Sequence, residues 1–127
     1  MIIKNFELEK LKKADSKMFL LYGENEGYKI QVFQSFFCKD FKGSTERLDE
    51  IEVINNFENF ISNLINKSFF DESKLILISR VSDKFVKIAE NILDRDIGDI
   101  KIVLNASILD KKSKLRSLFE KEKIHPI

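Results

Sequence analysis

MFLLYGENEGYK, Met18 to Lys29, is the stretch that decides how this chain folds. Met18–Tyr22 is an unbroken apolar run of strand length, the pattern of a strand buried on both faces. Gly23-Glu24-Asn25-Glu26-Gly27 reads as a turn. From Glu26 to about Cys38 the apolar residues Ile30, Phe33 and Phe37 recur at helical spacing, and Phe36 widens the stripe. A strand, a glycine turn and a helix are the parts of a phosphate-binding P-loop.

A working P-loop reads Gly-x4-Gly-Lys-Ser/Thr. Its backbone N–H groups close on phosphate, its lysine reaches the terminal phosphates and its hydroxyl holds Mg²⁺. With Gly23 as the first glycine, Tyr28 stands at the second glycine position, Lys29 at the lysine and Ile30 at the hydroxyl. Tyr28 is bulky where the backbone must approach phosphate, and Ile30 has no ligand for Mg²⁺. Glu24 and Glu26 add negative charge beside any polyphosphate. A Walker-B carboxylate is missing too, because the strand Leu75–Ile78 ends in Ser79-Arg80. The sequence therefore predicts a degenerate site that holds no cofactor and no metal, with Lys29 a solvated helix lysine. A phosphoryl-accepting receiver domain fares no better, since Ser79 and Asn105 stand where its strand-end aspartate would be.

Working outward, Asn5–Ala14 reads as a short capped helix and Thr45–Ile51 as a charged strand at a sheet edge. Asn55–Asn66 is a second amphipathic helix, and Lys67–Asp71 breaks its pattern. Lys74–Ser79 is a buried strand. Asp83 caps a helix to about Arg95, Ile100–Asn105 is another buried strand, and Asp110 caps a last helix through about Glu122. Lys123–Ile127 starts a fifth strand. Strands alternating with helices predict an α/β fold of three layers. Its sheet, largely parallel and of about five strands, is flanked by helices in an AAA+/P-loop-like domain.

The bulk composition narrows the function. At 127 residues the chain is one domain, and 43% hydrophobic with 34% charged residues fits a globular protein. No apolar run approaches the ~20 residues that span a bilayer, and Met1-Ile2-Ile3-Lys4 does not open a signal peptide, so the expected location is cytoplasmic. One cysteine and one histidine leave little room for zinc sites or histidine triads. A net charge of +1 is not that of an autonomous nucleic-acid binder. The basic cluster Lys111, Lys112, Lys114 and Arg116 would meet DNA phosphate or a partner subunit, against a default reading as a solvated helix face.

Phe19-Leu20-Leu21-Tyr22-Gly23-Glu24-Asn25 resembles the start of the bacterial DNA polymerase III delta subunit. So does Ser68-Phe69-Phe70 followed by the strand Lys74–Ile78. The most specific piece is Val103-Leu104-Asn105-Ala106, then Leu109-Asp110-Lys111-Lys112-Ser113-Lys114-Leu115. The similarity runs in order over essentially the whole chain. It implies a clamp-loader subunit whose first domain is AAA+-like, binds no ATP, and springs open one interface of the β sliding clamp. It also implies a longer protein, with lid and collar domains following residues 1–127. Residues 1–127 would then be a single N-terminal clamp-binding domain that is not itself an enzyme. The implied partners are the β clamp, the gamma/tau and delta prime subunits, and DNA only through the full complex.

The family's clamp-binding element falls on Ser68, Phe69 and Phe70. Phe69 and Phe70 lie beyond the helical stripe, in a connection expected at the surface. The competing expectation folds one or both rings back under the following strand. The alternative function, from another class, is a P-loop-type NTPase or nucleotide-binding domain.

Overall fold

The computed structural model of the chain describes residues 17–39, 41–70, 73–95, 97–107, 109, 112–121 and 125–126. The helix expected at Asn5–Ala14 and the cap expected from Asp110 lie outside these residues. Strand β1 is Met18–Leu21; helix α1 is Glu26–Val32, continued by a π-helical segment, Phe33–Cys38. Then come β2 (Ser44–Asp49), α2 (Glu50–Asn55), α3 (Phe57–Phe69) and β3 (Lys74–Val81). A 3₁₀ turn, Asp83–Phe85, leads into α4 (Val86–Leu93). It is followed by β4 (Ile100–Ala106), α5 (Lys114–Lys121) and the two-residue β5 (His125–Pro126).

Four strands form a parallel sheet in the order β2-β3-β4-β1, and β5 pairs in parallel with the outer side of β1. The connection from β1 runs across the sheet to β2. All later connections step back the other way. Right-handed crossovers then put α1 on one face and α2 to α5 on the other. The core divides accordingly. Phe19, Leu21, Leu75, Leu77 and Val103 pack with Val32 and Phe33 of the α1 side. Met18, Leu20, Ile76, Ile78, Ile102 and Leu104 pack with Val53, Phe60, Leu64, Phe85, Ile92 and Phe119. Because both faces are covered, the inner strands need apolar residues at every position, hence their unbroken runs. The charged strand β2 is at the edge, as its composition predicts.

Several boundaries differ from the sequence reading. Glu50 and Ile51 belong to α2, not to β2. Asp49 N–H donates to Glu52 Oε1 at 3.3 Å, the return half of a capping box that starts the helix there. In the first helix Ile30 is 43% exposed, and Lys29 takes its place beside Val32 and Phe33 on the buried side. The second amphipathic helix runs on through Phe69. Strand β3 extends to Val81, with a register shift between Ser79 and Val81.

Asp83 does not cap the helix that follows it. Ser82 accepts the Lys84 N–H there, at 3.3 Å. Asp83 Oδ1 instead accepts Ser113 Oγ at 2.7 Å and Leu115 N–H at 3.1 Å, tying α5 to the end of β3. Ser113 Oγ in turn accepts Arg116 N–H at 3.2 Å.

Candidate functional site

Strands β1 and β4 are neighbours whose outgoing connections leave in opposite directions. The gap between their carboxyl ends is therefore the topological switch point, where open α/β sheets hold ligands. Gly23 of the β1–α1 turn and Lys29 of α1 reach this region from one side, and Asn105 to Ser107 from the end of β4.

The turn is closed on itself. Gly23 has φ 127°, a conformation that L side chains rarely adopt, and its N–H donates to Ser107 O at 3.0 Å. Asn25 is the N-cap of α1, its Oδ1 accepting Tyr28 N–H at 3.0 Å and its carbonyl accepting Lys29 N–H at 3.1 Å. Glu26 N–H donates to Glu24 O at 3.1 Å. These are the backbone donors that a phosphate cradle would have to leave open.

The lysine is spent as well. The sequence places Lys29 in solvent; the structure buries it, at 7% exposure. Its ammonium donates to Ala106 O at 2.6 Å and to Glu26 Oε1 at 2.5 Å. Ile30 is exposed, and the Lys29 stem crosses the buried side to the end of β4, 77 residues on in the sequence. The Lys29 ammonium holds the Glu26 carboxyl below its usual value, assisted by Asn105, whose Nδ2 donates to Glu26 Oε2 at 3.3 Å. Asn105 Oδ1 is buried with no partner among the described residues. What would be the nucleotide site is a lysine plug joining α1 to β4, with Tyr28 packed against the α1-side core.

The second group of sequence-marked residues lies at the opposite end of the sheet. Helix α3 runs antiparallel to the strands and ends just before β3 begins, so Phe69 and Phe70 stand at the amino-terminal edge of the sheet. Ser68 and Phe69 form the last turn of α3, not a loop. Phe70 N–H still donates to Asn66 O at 3.2 Å, so its backbone is held by the helix end. The rings are 80% and 70% exposed. They meet edge to face, with centroids 5.2 Å apart at 89°. Neither folds back under β3.

The described members of the basic cluster are not placed alike. Lys111 lies outside the described residues, and Lys112 and Lys114 are exposed. Arg116 turns inward: its Nη1 donates to Leu109 O at 3.1 Å and its guanidinium lies 5.4 Å from the Tyr22 ring centroid. It braces α5 against the end of β1. Cys38 is half-buried, and burial pushes its thiol pKa up. No group of acidic, histidine or cysteine side chains suited to a metal ion occurs among the described residues. Among them, no helix is long and apolar enough to cross a membrane.

No protein-family model matches the chain, and no curated protein matches it at a significant level.

Proposed function

We propose that the chain is the clamp-binding, AAA+-like domain of a clamp-loader delta subunit. In this reading Phe69 and Phe70 enter an apolar pocket on the β sliding clamp, and α3 supports them while one ring interface opens. Nucleotide is bound by the gamma/tau subunits of the assembly, DNA is met through the full complex, and the work is done in the cytoplasm. The domain performs no hydrolysis of its own.

The observation that carries this reading is the pair of phenyl rings held out from the end of a helix. Large apolar side chains left 80% and 70% exposed on a fixed backbone are poor core and good anchors. Their helix-bound backbone means that little ordering entropy remains to be lost on docking. The plugged crevice supports the same reading, since a subunit that opens a ring by binding has no need of a phosphate cradle.

The test is clamp binding by wild type and by Phe69→Ala/Phe70→Ala. Truncating two exposed rings should leave folding unchanged and weaken clamp binding by at least about 30-fold, the equivalent of ~2 kcal/mol. A folded double variant that binds the clamp like wild type refutes the anchor. Calorimetric titration with ATP·Mg²⁺ addresses the competing NTPase reading, which micromolar binding would favour.

A further inference from the structure

We propose that Arg80 anchors a phosphate-binding cleft at the carboxyl ends of β3 and β4, separate from the plugged crevice. Its ligand is the backbone of a nucleic acid or a small phosphate ester. Three independent observations meet at this residue.

The first is shape. An open cleft of about 550 Å³ is lined by Arg80 and Val81 at the end of β3, by Ser82, Asp83 and Lys84 just after it, and by Ser107, Leu109 and Ser113 beyond β4. That volume lies in the range of ligand sites, and the carboxyl edge of a parallel sheet is where such sites form.

The second is backbone conformation. Arg80 has φ 57° and is the one non-glycine residue with positive φ among the described residues. It sits at the register shift between Ser79 and Val81, where the strand bulges. A left-handed arginine is unfavourable where glycine or asparagine would fit, and such strain collects at ligand-binding positions.

The third is the disposition of charge. The bulge holds the Arg80 side chain out at 81% exposure on the rim of the cleft, where Asp49 contacts one end of its guanidinium. A guanidinium has five N–H donors in a fork that matches phosphate oxygens. Lys84 adds a second cation to the lining. The nearby carboxylates have their own donors. Asp83 accepts from Ser113 and Leu115, and buried Glu50 accepts Ser82 N–H at 3.1 Å and Ser82 Oγ at 3.0 Å. This phosphate site does not depend on the clamp reading and can fail without it.

A fluorescein-labelled single-stranded oligonucleotide, followed by anisotropy at low salt, tests the proposal, with pyrophosphate as competitor and as ligand in a thermal-shift assay. Arg80→Gly should weaken binding about tenfold or more and lower the slope of log K against log salt by about 1. It should also leave Tm within about 4 °C of wild type, because relief of the left-handed strain offsets an exposed ion pair of small worth. Arg80→Asn, which also tolerates this conformation, should behave alike. Asp49→Asn keeps a good helix cap, releases the guanidinium and should tighten binding. Oligonucleotide binding that pyrophosphate does not displace assigns the cleft to a nucleic-acid backbone; pyrophosphate binding alone assigns it to a small ester. The proposal is overturned if neither probe binds the wild-type chain, or if affinity is the same in wild type, Arg80→Gly and Asp49→Asn.

Discussion

Replacing Lys29 by methionine separates a structural lysine from a phosphate-binding one. Methionine keeps most of the stem and its packing but removes the ammonium. In a nucleotide site that change abolishes ligand binding and leaves the free protein nearly as stable. Here the ammonium donates to Ala106 O at 2.6 Å from a position only 7% exposed. A hydrogen bond from a charged donor contributes roughly 1.5–3 kcal/mol net, and stranding a buried acceptor costs about 1–3 kcal/mol. Against this stands the desolvation of a buried ammonium, which the substitution relieves.

The Glu26 arm of the bridge is weak. Its carboxylate is 59% exposed, so it returns to water when Lys29 is gone and adds at most about 0.5 kcal/mol. The balance is a loss of about 2 kcal/mol, or roughly 8 °C in Tm for a chain of this size. Urea denaturation of Lys29→Met beside Glu26→Gln provides the measurement: a large loss for the first and a loss below ~1 kcal/mol for the second. A Lys29→Met protein as stable as wild type would refute the plug, and loss of a measurable ATP affinity would restore the phosphate role.

Two further predictions concern the ties between elements. Asp83→Ala removes the acceptor that Ser113 Oγ and Leu115 N–H share, so α5 should loosen and stability fall by about 1–2 kcal/mol in chemical denaturation. The Ser113 hydroxyl, followed by the Leu115 N–H, holds the Asp83 carboxyl below its ordinary value of 3.8, so its contribution is complete above that pH and is lost as pH falls through the folded-state value; the urea midpoint of Asp83→Ala should therefore fall less than that of wild type between about pH 5 and about pH 2. Gly43→Ala would bring a Cβ to 2.2 Å from Ser73 O, at the point where β2 and β3 begin to pair, and should cost about 1–3 kcal/mol, read as a lower Tm.

How much of this was legible in the sequence depends on whether a residue's neighbours are local. Strands β3 and β4 announce themselves because burial on both faces leaves a run of apolar residues that no other element of that length explains. The charges of Glu46, Arg47 and Asp49 mark an edge, where one side of the strand is open to solvent. Helix α2 was readable: Asp49 and Glu52 have capping-box spacing and Leu48 and Ile51 are three residues apart, but the charged run Thr45–Ile51 reads as one edge strand when no partner is in view.

Lys29 was not readable. Its decisive partner, Ala106 O, lies 77 residues away, and nothing in GENEGYK distinguishes a lysine that will be buried from one that will not. Asp83 and Ser82 are adjacent and both are good caps. Only the approach of Ser113, 30 residues on, sends Asp83 to the far helix. Arg116 belongs to a run of lysines in sequence but reaches the Tyr22 ring in space. In each case the residue type was recognised and its direction was not, because direction is set by tertiary contact.

The positions of the plug and of the phenyl pair bear on how such a chain would work. The plug closes the carboxyl edge of the sheet between β1 and β4, and the rings stand at the amino edge, at the far end of α3. A helix of 13 residues spans roughly 20 Å, which sets Phe69 and Phe70 well away from the crevice. In a nucleotide-driven module, occupancy of the carboxyl edge would have to shift the helix at the amino edge. Here the bonds from Lys29 and Gly23 to the end of β4 tie the β1–β4 crevice shut, so a bound nucleotide there would first have to break them. Helix α3 is thus mounted on a sheet locked at its opposite end. If Phe69 and Phe70 anchor a partner as proposed, force applied through them would be carried by α3 into a sheet tied at its far edge, and the partner's own interface would be the one to yield.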